Sequence, residues 1–298
     1  MSSVSTHPTP PTLVGGPFQR VLAASSLDEA GRWAVQRAAL LPLAPGARLE
    51  LVHVSPPWRG DPPARTGSET RRVLEEELAE AGDRARSAGQ RQLELVARIV
   101  QGWPAREIVR AAWRARAEIV VVGPPATRFD GSSRGTIARL LRWLGLPVLV
   151  VRREPSREYR RALCAVDRTI TAPDTVDLAS RLAPSQPLTL FHAYHVPFES
   201  WLGAGPEPET EALGYLWELA RELAPAARIG MTFALPGDRC VQIPRAAAMV
   251  GADLVVLGTR GRAGFARSLS ASAAQWVLEC APVDVAIAPR RALALTRA

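Results

Sequence analysis

The chain has 298 residues, 47% of them hydrophobic, which is length enough for two ordinary domains and apolar content enough for a core without disulfide or metal staples. Its formal charge is +8 and its 37 basic residues are all arginine, but they alternate with acids, as in "RRVLEEELAEAGDRAR", so they describe a solvated surface and nucleic acid is not an expected partner. No apolar run reaches the length of a membrane-spanning helix.

Residues 1–16 are polar and proline-rich, with no basic segment followed by an apolar core. They read as a disordered tail rather than a secretory signal, and the expected compartment is the cytoplasm. Beyond them, short apolar runs alternate with amphipathic stretches. Strands are expected at about 19–25, 48–54, 93–101, 117–123 and 146–152, and helices at about 28–42, 68–88, 104–116 and 134–145. The segment "RREPSREYR" (152–160) is charged and holds Pro155, and marks a boundary. A second set of strands follows at about 161–167, 187–194, 227–235, 252–258 and 283–289, with helices between them. Residues 292–298 form a terminal tail.

The second set repeats the first. "QRVLAAS" returns as "RALCAVD", "LELVHV" as "LTLFHAY" with His53 and His192 in step, "AEIVVVG" as "ADLVVLG", and "LPVLVVRR" as "VDVAIAPRR". Four strand-like runs in unchanged order identify a duplication. Strand–helix alternation specifies a parallel sheet covered on both faces, which binds ligands where strand order reverses, at the carboxyl ends. Three segments can reach that edge: "AVDRT" (165–169), "HAY" (192–194) and the glycine-rich loop in "ADLVVLGTRGRAGFARSLSASAAQWVLE" (252–279). A glycine-rich loop feeding a helix start exposes unpaired N–H groups, a ready anion site.

Other residues point to packing. Cys164, Cys240 and Cys280 have no CxxC spacing and read as buried thiols in a reducing compartment. The four histidines lack metal-ligand spacing, and His53 and His192 read as satisfied buried side chains. Eight dispersed tryptophans read as core or interface packing. A Rossmann GxGxxG is absent after either first strand, and a Walker A loop needs a lysine the chain does not have.

On these residues the chain resembles the universal stress protein family over about 17–153 and 158–291. The resemblance implies an α/β fold of two tandem five-stranded, parallel-sheet, Rossmann-like domains related by a pseudo-two-fold axis. It also implies a nucleotide site built on Gly-x2-Gly-x9-Gly followed by Ser or Thr, with an Asp after the first strand. In the second copy Asp167 takes the Asp position and would lie near the ribose. The backbone of Ala193 would bond the adenine edge, and Ala165, Leu257 and Ala273 would also contact the nucleotide. Gly258, Gly261, Ala271 and Ser272 would hold phosphates, with Arg262 as a charged contact and Ala271 standing where the family has glycine. The implied ligand is ATP, which Mg can accompany; no metal or catalytic residue is assigned. The first copy keeps Gly123 and Gly135-Thr136. It has Pro124, Pro125 and Ala126 in the loop and Ser26 in place of Asp, so it reads as degenerate. The implied role is a stress-response regulator or interaction module. The alternatives are a nucleotide-free scaffold with two vestigial sites, and a slow ATPase. Family dimers pair through the last strand, so strands 146–152 and 283–290 are expected to pair within one chain, leaving room for a homodimer.

Overall fold

The computed structural model describes residues 16–55, 67–90, 92–124, 132–168, 171–196, 207–259 and 269–289. The first half runs β1 (Phe18–Ser25), α1 (Glu29–Ala39), β2 (Leu43–Ser55), α2 (Gly67–Ser87), β3 (Leu93–Gln101), α3 (Pro104–Ala115), β4 (Ile119–Val122), α4 (Ser132–Trp143) and β5 (Val148–Val150). The second runs β6 (Ala162–Ala165), α5 (Ala172–Leu182), β7 (Leu188–Tyr194), α6 (Pro208–Leu223), β8 (Ile229–Pro236), α7 (Arg239–Met249), β9 (Leu254–Thr259), α8 (Leu269–Cys280) and β10 (Asp284–Pro289). The tails at 1–15 and 290–298 lie outside the described residues.

The elements form where local chemistry favours them. The side chain of Asp28 accepts the N–H of Gly31 and caps α1, while Pro104 opens α3 at a position that needs no N–H donor. At the end of α3, Arg116 adopts a left-handed conformation and returns its N–H to the last carbonyls. Gly102 and Gly237 stand at matched places after β3 and β8, both at positive φ, where a side chain would be strained.

The ten strands of the described residues join one sheet in the order β3-β2-β1-β4-β5-β10-β9-β6-β7-β8. Within each half the strands are parallel; β5 and β10 meet antiparallel, pairing Val148 with Ile287, Leu149 with Ala286 and Val150 with Val285. Val122 pairs with Val150 in one half as Leu257 pairs with Ile287 in the other, so Leu149 and Ala286 are counterparts. Each therefore faces its own equivalent, and the pseudo-two-fold axis passes between them. Apolar layers cover both faces. One packs α1, α2, α5 and α6 on the sheet; the other packs α3, α4, α7 and α8. Each layer takes residues from both β5 and β10, so neither core stops at the junction.

Residues 151–161 carry no helix or strand, but the sheet holds them in place. Asp284, 2% exposed at the start of β10, accepts the hydroxyl of Tyr159 at 2.6 Å and the N–H of Arg152 at 2.8 Å. Arg37 of α1 brings Nε to 3.3 Å from the same carboxylate, stacks 4.0 Å over the Tyr159 ring and donates to the Arg157 carbonyl at 2.7 Å. The Arg152 guanidinium donates to the carbonyls of Leu278 and Glu279 at the end of α8. Burial lifts the Asp284 carboxyl above its usual range, against the pull of Arg37, Tyr159 and nearby N–H groups. Desolvation outweighs the pairing there, so the cluster fixes geometry more than it adds stability.

Two expectations from sequence are corrected. Only Cys164 is buried; Cys240 is half-exposed and Cys280 exposed. Trp103, Trp113, Trp143, Trp217 and Trp276 are 40% to 64% exposed, which removes the core half of the core-or-interface expectation for them. They lie on the outer sides of helices or at their ends, where apolar character alone does not secure burial.

Residues directly opposed on antiparallel strands have Cα atoms about 4.5–5.5 Å apart, within disulfide range. The Leu149→Cys/Ala286→Cys variant should form a disulfide within one chain on oxidation. Non-reducing electrophoresis should show a faster monomer; crosslinked dimer alone, or no crosslink, would contradict the register.

Candidate functional site

Strand order reverses between β6 and β9: β6 continues to β7 on one side and β9 to β10 on the other. Their following helices leave to opposite faces, so a crevice opens at their carboxyl ends. A cavity of about 270 Å3 occupies it, slightly below the range usual for small-molecule sites, about 300–1,000 Å3. Ala165, Phe191, Ile243, Leu257 and Ala274 give it apolar walls, and Asp167, Arg168, Thr171 and Arg239 give it a polar rim. An apolar slot with a few convergent polar groups suits a flat ring carrying a polar substituent.

Five sequence-assigned residues line this one cavity: Ala165, Asp167, Ala193, Leu257 and Gly258. Ala271, Ser272 and Ala273 lie in the first turns of α8, which begins at Leu269. Their side chains, and all of Gly261 and Arg262, lie outside the described residues.

The loop carrying Asp167 is held from two sides. His192 Nδ1 donates to the Val166 carbonyl at 2.8 Å, and the Tyr215 hydroxyl donates to the Asp167 carbonyl at 2.5 Å. The His192 and Tyr215 rings meet edge-on with centroids 5.5 Å apart. Burial and the nearby Asp167 push the Tyr215 hydroxyl up to about 12, so it remains a donor at neutral pH. Arg239, in the first turn of α7, reaches to 3.6 Å from Asp167 Oδ2. Arg168 donates to the Glu211 carbonyl at 2.9 Å and lies over the Tyr215 ring. Asp167 is not the cap of α5; that position belongs to Thr171.

Gly258 has a second constraint. A Cβ there would stand 2.5 Å from Thr171 Oγ1 and 2.7 Å from Thr175 Oγ1. The glycine thus lets α5 close against the end of β9. In the first half, a Cβ on Gly123 would stand 2.8 Å from the Ala30 carbonyl of α1. This glycine serves helix packing in both halves, so its presence does not by itself mark a ligand site.

The first half uses the same end of its sheet differently. His53 Nδ1 lies 2.9 Å from the Ser25 carbonyl, as His192 lies against Val166, so Ser26 stands at the place of Asp167 and Leu27 at that of Arg168. Ser26 donates to Asp28 at 2.6 Å, within the α1 cap. A Cβ on Gly31 would meet Ser25 Oγ and the Ser26 nitrogen at 2.6 Å, so the first turn of α1 lies directly on the loop. Pro104 occupies the place of Arg239, counted from the matched glycines Gly102 and Gly237. Pro125 and Ala126 lie outside the described residues.

Sequence reading missed Tyr215, Arg168 and Arg239, and it gave His192 no role at the site. Arg239 carried a signal, since it follows the glycine turn after β8 at the carboxyl edge. Tyr215 carried none, because on an amphipathic helix it reads as packing.

A family model of the universal stress protein family matches residues 17–152 and again 158–289. Among solved structures, a universal stress protein from Archaeoglobus fulgidus DSM 4304 covers 93% of this chain and 98% of its own, with 16% identity and a TM-score of 0.67. A putative universal stress protein from Pseudomonas aeruginosa UCBPP-PA14 covers 91% and 93%, with 16% identity and a TM-score of 0.55. A universal stress protein in complex with cAMP covers 47% of this chain and 100% of its own, with 26% identity and a TM-score of 0.36. The two long alignments are likenesses of fold. Comparison with curated proteins gives no significant match.

Two outcomes test the site's construction. Gly258→Ala should destabilise the fold by about 1–3 kcal/mol through overpacking against α5, read from urea denaturation. The second concerns pH. Burial lowers His192 below its ordinary value of 6.5, outweighing the opposite pull of the Val166 carbonyl and Asp167. As pH falls through 6.5 the unfolded histidine is protonated first, so stability is full above that value and declines from there down to the lowered folded value. Between about pH 7.5 and about pH 5.5 the parent chain should lose more stability than His192→Gln; equal losses would place the titration elsewhere.

Proposed function

This chain belongs to the universal stress protein family, and from that premise we propose that its second half binds an adenine nucleotide, ATP first, in the β6–β9 crevice. The supporting observation is the convergence of an apolar slot, Asp167 and two arginines where strand order reverses. In this reading Ala165, Leu257 and Ala193 flank the adenine and Asp167 faces the ribose. Gly258, Gly261, Arg262, Ala271, Ser272 and Ala273 cradle the phosphates beside the start of α8, whose free N–H groups favour negative charge. Arg239 competes for Asp167 in the free protein and turns to phosphate in the bound one. Among the described residues no cluster of His, Cys, Asp or Glu could hold a metal, so Mg would arrive coordinated by the nucleotide phosphates.

The first half would bind no nucleotide. Its α1 turn lies on the loop, and Pro124 and Pro125 withhold two N–H donors. Its role would be to cover β10 with β5, so that one chain makes the strand pairing of a family dimer. The protein would act in the cytoplasm as a nucleotide-dependent regulatory or interaction module of the stress response. Slow ATP hydrolysis is the weaker reading, because positions 258–272 hold no acid to order a water or metal.

Calorimetric titration with ATP tests this. The full chain should bind one equivalent, and Asp167→Ala should weaken it at least about tenfold, as loss of a charged contact does. Ser26→Ala should leave it unchanged. No binding, or an equal loss in both variants, would overturn the assignment and favour a nucleotide-free scaffold.

A further inference from the structure

A second cavity, of about 490 Å3, lies toward the amino-terminal ends of the first half's strands. Five arginines and two glutamates line it: Arg20 from β1, Arg48 and Glu50 from β2, Glu94 and Arg98 from β3, and Arg114 and Arg116 from the end of α3. Glu50 is 1% exposed and organises the cluster. Its carboxylate lies 2.9 Å from Arg98 Nε, 3.1 Å from Arg114 Nη2 and 3.4 Å from Arg48 Nη2. Arg48 Nη1 lies 3.0 Å from Glu94.

This arrangement leaves cationic capacity unused. Each guanidinium offers five donors in a rigid fork, and Glu50 engages one nitrogen of each. Arg48 Nε is buried and has no hydrogen-bond partner among the described residues. Arg20 pairs directly beside Arg48 in the β1–β2 register, a like-charge juxtaposition. The side chains of Arg20 and Arg116 make no ion pair among the described residues. One ordinary explanation is that Arg114 and Arg116 complement the negative end of α3. It does not account for Arg20, Arg48 and Arg98 on the strands.

The duplication supplies an internal comparison. Registers set by His53 and His192, and by Gly102 and Gly237, place Pro187, Thr189, Phe233 and Met249 at the positions of Arg48, Glu50, Arg98 and Arg114. Arg20 is matched by Arg161 in the second half, but the same fold closes there without the charges of Arg48, Glu50, Arg98 and Arg114, so folding does not require those four. A buried glutamate under three arginines is costly to desolvate, and it pre-orients their remaining donors toward the cavity.

We propose that this cavity binds a small multivalent oxyanion, a ligand presenting phosphate groups to Arg20, Arg48, Arg98, Arg114 and Arg116. Glu50 is a positioning residue that holds the guanidiniums, and Glu94 limits the net positive charge. The proposal does not rest on nucleotide binding in the second half, which lies at the opposite end of the strands.

The test is calorimetric titration of the full chain with inorganic pyrophosphate at low ionic strength. The expected result is a site that weakens about tenfold in Arg20→Gln/Arg116→Gln, whose side chains hold no ion pair among the described residues, through lost charge-assisted contacts. The variant Glu50→Gln/Arg98→Gln/Arg114→Gln, which removes the buried carboxylate together with two of its arginine partners, should lose it, with circular dichroism confirming the fold. Arg168→Gln/Arg239→Gln, which alters only the second half's crevice, should retain it. Absence of binding, indifference to the Arg20/Arg116 pair, or loss only in the Arg168/Arg239 variant would each overturn the proposal.

Discussion

The antiparallel pairing of β5 and β10 is the constraint on which the rest of the molecule depends. A parallel five-stranded sheet ends in an edge of unpaired N–H and C=O groups, a hazard that must be covered. Here the edge of one half covers that of the other. Because Leu149 faces Ala286, its own counterpart, the two halves are set by symmetry and both apolar layers run unbroken across the seam. Asp284, at the first position of β10, then ties the connecting segment and α1 to that seam through Tyr159, Arg152 and Arg37. A carboxylate so deeply buried is an expensive way to gain stability. Its geometry, shared among β10, the connecting segment and α1, specifies one arrangement of the two halves.

Within that frame the two halves spend the same backbone differently. Both keep a histidine whose Nδ1 holds the carbonyl at the end of the first strand, and both keep a glycine where the next helix must approach. In the second half the loop presents Asp167 beside Arg239. In the first the loop is used up in capping α1, through Ser26 and Asp28. Duplication thus preserved the parts that shape the strand ends and freed those that would face a ligand. The charged groups of the first half gather instead around Glu50, at the other end of its strands.

Much of this was legible in the sequence. Alternating apolar runs and amphipathic stretches gave the order of elements, because periodicity is a local consequence of strand and helix geometry. The repeat of "AEIVVVG" as "ADLVVLG" gave the duplication, and the in-step His53 and His192 gave the alignment of the halves. Asp167 was legible because it follows a first strand at the carboxyl edge, where a parallel sheet leaves its crevice. Tertiary structure alone decided the remainder. Tyr215 and Arg239 join Asp167 from segments roughly 50–70 residues away in sequence, and only sheet order makes them neighbours. The requirement for Gly258 comes from Thr171 and Thr175 on a different helix, so the residue's conformational freedom could not reveal it. Among the described residues five tryptophans lie exposed, and Glu50 is buried beneath three arginines. Burial and charge compensation are set by which surfaces meet, and no local pattern of residues encodes that meeting.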